Sequence, residues 1–252
     1  MLRLSVLGSG DAFNAGGALH SCYLLEHTAG KLMLECGPSV LAGMKRLGQA
    51  TDSPDAILIS HLHGDHFGGV PFLLLEYLFS NPRTRPLVIA GPPTTEQRVR
   101  SLYAELYREA HCRQVLFSLE WVELEPGSRR RVAGFDVSAF EVPHSAEPVS
   151  LGYRIESPEG VVVFSGDSAW TEAFVSQTRD SDLFLCECCS MTPVTPVHTS
   201  YAEILANRAR LGCRRLVLTH LGADVREAVG LDVERAHDGM VIELDRQRSP
   251  AG

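Results

Sequence analysis

The chain lacks any apolar run of the roughly 18 residues that a membrane-spanning helix needs. Its 252 residues include 44% hydrophobic and 21% charged side chains. The first residues, 1–8, are too short an apolar stretch, and too soon broken by glycine, to be a signal peptide. We therefore expect a globular protein of the cytoplasm, with residues 1–252 forming one domain around a sizeable core.

Clustered basic residues are also scarce. The net charge is −8, and the one basic run is Arg129-Arg130-Arg131, just after Pro126-Gly127. Nucleic-acid backbones are bound by clustered Lys and Arg, so this charge does not favour RNA or DNA as a partner. The arginine run is more typical of a solvated hairpin tip than of a phosphate-binding patch.

The seven cysteines do not have the pattern of a disulfide framework. Their number is odd, and Cys186, Cys188 and Cys189 fall in one short strand-like segment. This usage is typical of a reducing cytoplasm. A separate metal site at these cysteines is the alternative, but no second matching pair accompanies them, and free cysteine is often simply buried.

The chain does have a dense group of metal-binding side chains in the run HLHGDH at residues 61–66. This run holds three of the ten histidines, and it directly follows the apolar segment 56–60. Imidazole nitrogens and a carboxylate presented in one turn bind Zn²⁺ and similar ions well. A solvated loop rich in histidine is the alternative, but the metal site is the working hypothesis.

Later in the chain, four apolar segments each lead directly to another metal-competent residue. These residues are His144, Asp167, Glu187 and His220, and His198 follows Glu187 beyond a proline-bounded loop. Side chains at the carboxyl ends of strands converge on one rim of a sheet. We therefore expect these residues to meet the HLHGDH run at one site.

Strand-like and helix-like segments alternate along the chain. Helical patterns lie at about 68–79 and 93–110, and a β-rich block from 115 to 164 contains a hairpin of strands 152–155 and 161–164. The order is β-rich and then helical, twice over, with no low-complexity linker. This order predicts two sheets that face each other with helices outside.

The motifs resemble the metallo-β-lactamase superfamily of metallohydrolases over nearly the whole chain. The resemblance is carried by HLHGDH, His144, the segment 165–168 (SGDS) and the segment 218–220 (LTH). Within the superfamily, the segments 198–200 (HTS), 218–221 (LTHL) and 8–11 (GSGD) resemble the phosphodiesterase branch, which contains the tRNA-processing ribonuclease Z and smaller cyclic phosphodiesterases. The resemblance implies an α/β fold of four layers, the αββα metallo-β-lactamase sandwich.

The resemblance also implies two divalent metal ions. His61, His63 and His144 would hold the first ion, Asp65, His66 and His220 the second, and Asp167 would bridge both. The histidine-rich ligand set favours Zn²⁺, and the presence of aspartate leaves Mn²⁺ open.

Three residues are expected to be catalytic by the same resemblance. His198 would act as a general acid or as a donor to the phosphate, and Glu187 would orient it and favour its protonation. Asp65 joins them because its loss is expected to abolish turnover. For His198, the alternative is an ordinary loop histidine that caps the helix starting near Ser200.

Two departures from the family pattern limit what can be carried over. Ribonuclease Z enzymes that act on tRNA carry a long arm between the segments that here hold His144 and Asp167, but only residues 145–166 separate these two. In addition, Glu35-Cys36-Gly37 replaces the usual Asp-x-Gly, so no buried structural role is assigned to Glu35 from its register.

The leading hypothesis is a metal-dependent hydrolase, a phosphodiesterase that uses a dinuclear metal-bound hydroxide on a small or cyclic phosphodiester. A thioesterase or lactonase of the same fold and a ribonuclease Z-type RNA 3′-end endonuclease are the alternatives, and a non-catalytic binding protein is a third. The expected partner is a small-molecule phosphodiester. Neither tRNA nor a membrane is expected as a partner. The apolar helix at 71–79 is either a homodimer interface or a buried core helix.

Overall fold

Fourteen strands form the framework of the part of the chain described by this computed structural model, which is residues 1–145 and 148–244. The strands are β1 (Leu2–Gly8), β2 (Cys22–His27), β3 (Gly30–Leu34), β4 (Ala56–Leu58), β5 (Leu87–Gly91), β6 (Leu119–Glu123), β7 (Arg129–Val132), β8 (Phe135–Glu141), β9 (Leu151–Ser157), β10 (Gly160–Phe164), β11 (Ser181–Glu187), β12 (Cys213–Thr219), β13 (Glu234–Arg235) and β14 (Val241–Leu244).

Eight α-helices connect or follow these strands in the described residues. They are α1 (Val40–Arg46), α2 (Gly64–Phe67), α3 (Val70–Phe79), α4 (Thr95–Leu106), α5 (Arg108–His111), α6 (Glu172–Gln177), α7 (Tyr201–Asn207) and α8 (Ala223–Glu227). Two short 3₁₀ helices, Ala15–Gly17 and Arg208–Arg210, complete the described secondary structure.

The strands form two mixed sheets of seven strands each. The first has the order β14-β1-β2-β3-β4-β5-β6, and the second has the order β13-β12-β11-β10-β9-β8-β7. Strands β3 to β6 run parallel to one another in the first sheet, as do β10 to β13 in the second. The remaining neighbours are antiparallel, which places the hairpins at the outer parts of both sheets.

The main core lies between the two sheets. In β8, Phe135, Val137 and Ala139 are buried while Asp136 and Ser138 are half-exposed, as expected for a strand with one face on the core. Leu4 and Tyr23 of the first sheet pack in the same hydrophobic cluster. The apolar run of β10 is buried along its whole length, which is typical of a parallel strand covered on both faces.

The helices cover the outer faces of the sheets. Leu24, Met33 and Ile57 of the first sheet pack with residues of α1, α3 and α4 in a second cluster, and Phe184 and Leu218 of the second sheet pack with Phe174 of α6 in a third. The predicted arrangement of two facing sheets with helices outside is therefore confirmed.

Helix α3 is the apolar helix that the sequence offered as an interface or a core element. Its residues Leu73, Leu74 and Tyr77 are buried in the cluster beneath the first sheet, while Phe79 at its end is 54% exposed. No helix among the described residues is long and apolar enough to cross a membrane.

Candidate metal centre

The HLHGDH run leaves strand β4 and turns into helix α2. His61 lies in the bend after the strand, and His63 occupies the N-cap position in extended backbone, with φ −81° and ψ 148°. Asp65 and His66 then fall in the first turn of α2, and His66 is buried. The change from extended to helical backbone within six residues directs four side chains toward one rim between the sheets.

His61, His63 and His144 form the first ligand group, with their candidate ligand atoms within 4.8 Å of one another. His144 Nε2 lies 3.1 Å from His63 Nδ1. The carbonyl oxygen of Val197 lies 2.9 Å from His144 Nδ1 and can only accept, so the ring proton sits on Nδ1 and the Nε2 lone pair faces the group. The hydroxyl of Ser60 lies 2.9 Å from His61 Nδ1 and holds that ring in place.

Asp65, His66, Asp167 and His220 form the second ligand group. His66 Nε2 lies 3.1 Å from Asp65 Oδ2 and 3.3 Å from Asp167 Oδ2. His220 Nε2 lies 3.3 Å from Asp65 Oδ2 and 3.4 Å from Asp167 Oδ2. Two ligand atoms bonded to one tetrahedral Zn²⁺ at about 2.0–2.1 Å lie about 3.3 Å apart, so this spacing suits a shared cation.

Asp167 stands between the two groups. Its Oδ2 atom is 3.9 Å from His61 Nε2 and 4.0 Å from His144 Nε2, both of the first group, in addition to its contacts with the second. The carboxylate is 3% exposed. This position is the one that a bridging ligand between two cations would occupy.

Several polar atoms of the centre are buried without a hydrogen-bond partner among the described residues. They are His61 Nε2, His66 Nδ1, His66 Nε2, Asp167 Oδ1 and His220 Nδ1. Buried polar groups are normally satisfied, and unpartnered ones call for an explanation such as a bound ion. The donor set, histidines with two aspartates, is also one that Zn²⁺ and Mn²⁺ accept. The residues therefore fit a pair of divalent cations.

The carboxylates and imidazoles of the centre shift one another's protonation. Burial acts to raise the pKa of Asp65 and Asp167, but the neighbouring histidines outweigh it and lower both. Burial acts to lower the pKa of His220, yet the charge of Asp167 and the hydrogen bond with Asp65 raise it to about 9. The pKa of His66 is raised by the same carboxylates. The second ligand group therefore attracts positive charge strongly.

Glu187 and His198 form a hydrogen-bonded pair beside the ligand groups. His198 Nδ1 lies 2.8 Å from Glu187 Oε1, and Glu187 is fully buried while the side chain of His198 is 20% exposed. Burial lowers the pKa of His198, but the hydrogen bond and charge of Glu187 outweigh it and raise the value. His198 also forms a candidate ligand group with His144 and Asp167, so one of its ring nitrogens lies within 4.8 Å of their ligand atoms.

The helix-capping alternative for His198 is excluded by the start of α7. Ser200 is the N-cap residue, and its side chain forms a reciprocal capping box with Glu203. Thr199 is fixed separately, through a 2.7 Å hydrogen bond from its hydroxyl to the carbonyl of Ser168. His198 is thus left free for the pair with Glu187.

Glu35 is a residue near the centre to which the sequence analysis assigns no role. It is fully buried, its carboxylate accepts from the backbone nitrogen of Ser60 at 3.2 Å, and Oε1 lies 3.5 Å from His66 Nδ1. Its backbone has a φ of 59°, in the left-handed region. The glutamate side chain, which is longer than that of the usual aspartate, therefore reaches His66. It does so from a left-handed backbone conformation that the sequence pattern does not predict.

His20 is a second residue near the centre that the sequence did not single out. Gly10 pairs through backbone bridges with both His20 and Leu221, the residue after His220. Burial lowers the pKa of His20, the charge of Asp65 raises it, and the charges of His66 and His220 lower it further. The half-buried imidazole therefore lies within electrostatic range of the second ligand group.

All the candidate site residues of the sequence analysis meet at this one rim. The structure brings the seven predicted ligands together in two groups with Asp167 between them, and Glu187 and His198 are hydrogen-bonded next to them. Between His144 and Asp167 the described residues, which omit positions 146 and 147, form the hairpin of β9 and β10 and no additional arm.

Comparison with known proteins identifies the family and the fold. The family profile described as "Anti-Pycsar protein Apyc1" matches residues 2–239. The ribonuclease Z of Methanosarcina acetivorans is 24% identical over 300 aligned positions, which cover 97% of this chain and 96% of that protein.

Solved structures give the same result for the fold. The metallo-β-lactamase fold protein YhfI from Bacillus subtilis has a TM-score of 0.76 at 23% identity and covers 96% of this chain and 100% of its own. The short form of human tRNase Z has a TM-score of 0.77 at 22% identity, covering 96% and 99%. Zn²⁺-bound PqqB from Methylobacterium extorquens has a TM-score of 0.75 at 16% identity, covering 96% and 100%. The chain has the metallo-β-lactamase fold and belongs to the Anti-Pycsar protein Apyc1 family.

Proposed function

We propose that this protein is a metal-dependent phosphodiesterase that hydrolyses a small or cyclic phosphodiester. The observation that carries the proposal is the Glu187–His198 pair, at 2.8 Å, beside the seven ligand-type residues. A thioester releases a thiolate, which leaves without a proton donor of this kind, whereas an alkoxide that leaves a phosphodiester requires one.

The ligand groups would hold two divalent cations. His61, His63 and His144 would bind one, Asp65, His66 and His220 the other, and Asp167 both. Such a pair of ions supplies hydroxide at neutral pH and stabilises the charge of the attacking and leaving oxygens. Relatives support this assignment, since PqqB, which shares the fold, binds Zn²⁺.

The residues of this chain supply orientation and proton transfer. The Val197 carbonyl and the Ser60 hydroxyl fix the rings of His144 and His61, so their free nitrogens point to the centre. Glu187 holds His198 with Nδ1 as the donor to its carboxylate, which leaves Nε2 as the nitrogen that faces the substrate. Because Glu187 raises the pKa of His198, its imidazolium form is available to protonate the leaving oxygen.

An RNA 3′-end endonuclease is the second candidate, because a ribonuclease Z is similar to this chain over nearly its whole length. Two features favour the smaller substrate. The described residues between His144 and Asp167 form only the hairpin of β9 and β10. The basic run on β7 is also partly neutralised, with Arg129 3.2 Å from Glu156 and Arg131 3.8 Å from Asp136. Neither an arm nor an open basic surface is present among these residues to hold tRNA.

A substrate panel tests the proposal directly. Protein loaded with Zn²⁺ or Mn²⁺ is assayed with bis-p-nitrophenyl phosphate, cyclic nucleotides, a thioester, a lactone and a precursor tRNA, and His198→Ala serves as the matched control. We expect turnover of the small or cyclic phosphodiesters and a reduced turnover in the control, with the smallest reduction for bis-p-nitrophenyl phosphate. Efficient turnover confined to the thioester or lactone, or confined to tRNA, would replace the proposal with the corresponding alternative.

A further inference from the structure

His20 is held in one orientation at the rim of the metal centre. Its backbone nitrogen donates to Ser39 Oγ at 2.8 Å, and its ring Nδ1 lies 3.2 Å from the same hydroxyl. Asn14 Nδ2 lies 3.4 Å from Nδ1 on the other side. Two contacts therefore fix the Nδ1 edge of the ring and a third fixes the backbone, and the Nε2 edge faces away from the two ring contacts.

The same contacts determine which ring nitrogen carries the proton. Asn14 Nδ2 donates to the carbonyl of Ala18 at 2.7 Å, and this contact identifies the atom as the amide nitrogen and not the oxygen. An amide nitrogen only donates, so His20 Nδ1 must be the acceptor in its contact with Asn14. In the neutral imidazole the proton then sits on Nε2, which becomes a hydrogen-bond donor.

The position of His20 relative to the centre is set by Gly37. A Cβ atom on Gly37 would lie 2.5 Å from His20 Cβ and 2.5 Å from the backbone oxygen of Asp65, so these two residues flank the same glycine. His20 belongs to none of the candidate ligand groups among the described residues. It is therefore beside the second ligand group without being part of it.

We propose that His20 is a substrate-binding residue whose Nε2–H donates a hydrogen bond to a phosphoryl oxygen of the substrate, on the side of the centre formed by Asp65, His66 and His220. This inference rests on the proposed function. His198 pairs with Glu187 and adjoins His144, so the two histidines at the centre that are not proposed as ligands, His20 and His198, have different tasks. His198 handles the proton of the leaving oxygen, and His20 holds the phosphoryl group in both the ground state and the transition state.

The test compares three replacements of His20 in metal-loaded protein. His20→Gln places an amide nitrogen near the former Nε2, His20→Asn places one near the former Nδ1, and His20→Ala removes both. Binding of inorganic phosphate is measured by calorimetry, and the metal content of each variant is measured alongside. His237→Ala, at an exposed histidine outside the site, is the control.

We expect His20→Ala and His20→Asn to weaken phosphate binding about tenfold, as for loss of a hydrogen bond to a charged group. His20→Gln should stay within about threefold of the wild type, and all variants should keep their metal. With bis-p-nitrophenyl phosphate the weakened variants should show a raised KM at nearly unchanged kcat, because the hydrogen bond is made in both states.

Phosphate affinity equal to that of the wild type in all three variants would overturn the role of His20. A loss of metal in His20→Ala would overturn it as well. Equal losses in the Gln and Asn variants would overturn the assignment of the donor to Nε2. A wild type that binds phosphate but hydrolyses no phosphodiester counts against the proposed function, while the phosphate comparison still reports on His20.

Discussion

The His198–Glu187 pair gives the sharpest prediction about the chemistry. In His198→Ala the centre should keep both metal ions, because the seven ligand-type residues fall into groups that do not need His198. Loss of a general acid typically lowers kcat by roughly 10²–10⁴-fold. The loss should be smaller for p-nitrophenyl esters than for alkyl esters, since p-nitrophenolate leaves without needing a proton.

Glu187→Gln should act in the same direction with a smaller effect. Oε1 of Glu187 accepts from Ser168 N at 2.5 Å and from His198 Nδ1 at 2.8 Å, and the oxygen of a glutamine can keep both bonds. The new NH₂ group would then replace Oε2, a buried atom with no hydrogen-bond partner among the described residues. Burying these unpaired donors should cost about 1–3 kcal/mol of stability.

The same variant should shift the pH profile. Glu187 raises the pKa of His198, so removing its charge lowers that pKa. The protonated form exists below the pKa, and activity is lost as the pH rises through it. The alkaline limb of kcat should therefore move to lower pH in Glu187→Gln, with about a tenfold loss for each unit by which the pKa falls below the assay pH.

The assay is kcat against pH for an aryl and an alkyl phosphodiester, with elemental analysis of every variant. Loss of a metal ion in His198→Ala would show that His198 is a metal ligand. Metal content must therefore be measured, because His198 lies near His144 and Asp167. Undiminished activity of that variant on every phosphodiester would refute the general-acid role of His198.

Four further predictions concern the metals and the substrate. Asp65→Ala should lower metal content from about two ions toward one and abolish turnover; full occupancy by elemental analysis would contradict the ligand assignment. Because the pKa of His220 is raised to about 9, metal binding should release protons, and affinity should fall as the pH is lowered below about 9; a pH indicator in weak buffer measures this release. Chelation of the metal should lower Tm. Metal at about 1,000 times its Kd stabilises the folded protein by about 4 kcal/mol per site, and each kcal/mol shifts Tm by about 2–4 °C. An unchanged Tm would show that the folded protein holds no tightly bound metal. Precursor tRNA at low salt should be cleaved poorly, given the net charge of −8, and efficient 3′-end cleavage on a gel would refute this.

Much of the fold and the candidate site follows from residues at the ends of apolar segments. The sequence placed His61, Asp167 and His220 after predicted strands, and in the structure these residues follow β4, β10 and β12. The carboxyl ends of such strands meet at one rim, so the order of the strands predicted that these residues lie together, whereas their division into ligand groups came from the family resemblance. Helices α3 and α4 also lie within the segments predicted to be helical.

The residues that the sequence analysis did not identify are positioned by backbone conformation and by long-range contacts. Glu35 reaches His66 from a left-handed φ of 59°, which no residue type other than glycine signals in advance. His20 follows Leu19, whose backbone nitrogen donates to Asp238 Oδ2 across 219 positions of sequence. Asp238 also accepts from the backbone nitrogen of Ser9. Pattern and spacing carry no information about contacts of this range.

The geometry of the centre depends further on how the two sheets are joined at the rim. The hydroxyl of Tyr153 in the second sheet donates to the carbonyl of Ile59 at 2.7 Å, and the backbone nitrogen of Leu151 donates to the carbonyl of Ser60 at 3.0 Å. Tyr23 of the first sheet is joined to Thr219 of the second through their hydroxyls, at 2.6 Å. Each of these bonds adjoins a ligand segment, either the one that begins at His61 or the one that ends at His220. Local motifs therefore identify the ligands. The 3.3 Å distances from His66 to Asp167 and from His220 to Asp65 join residues that follow strands of different sheets, so they depend on contacts that only the folded chain forms.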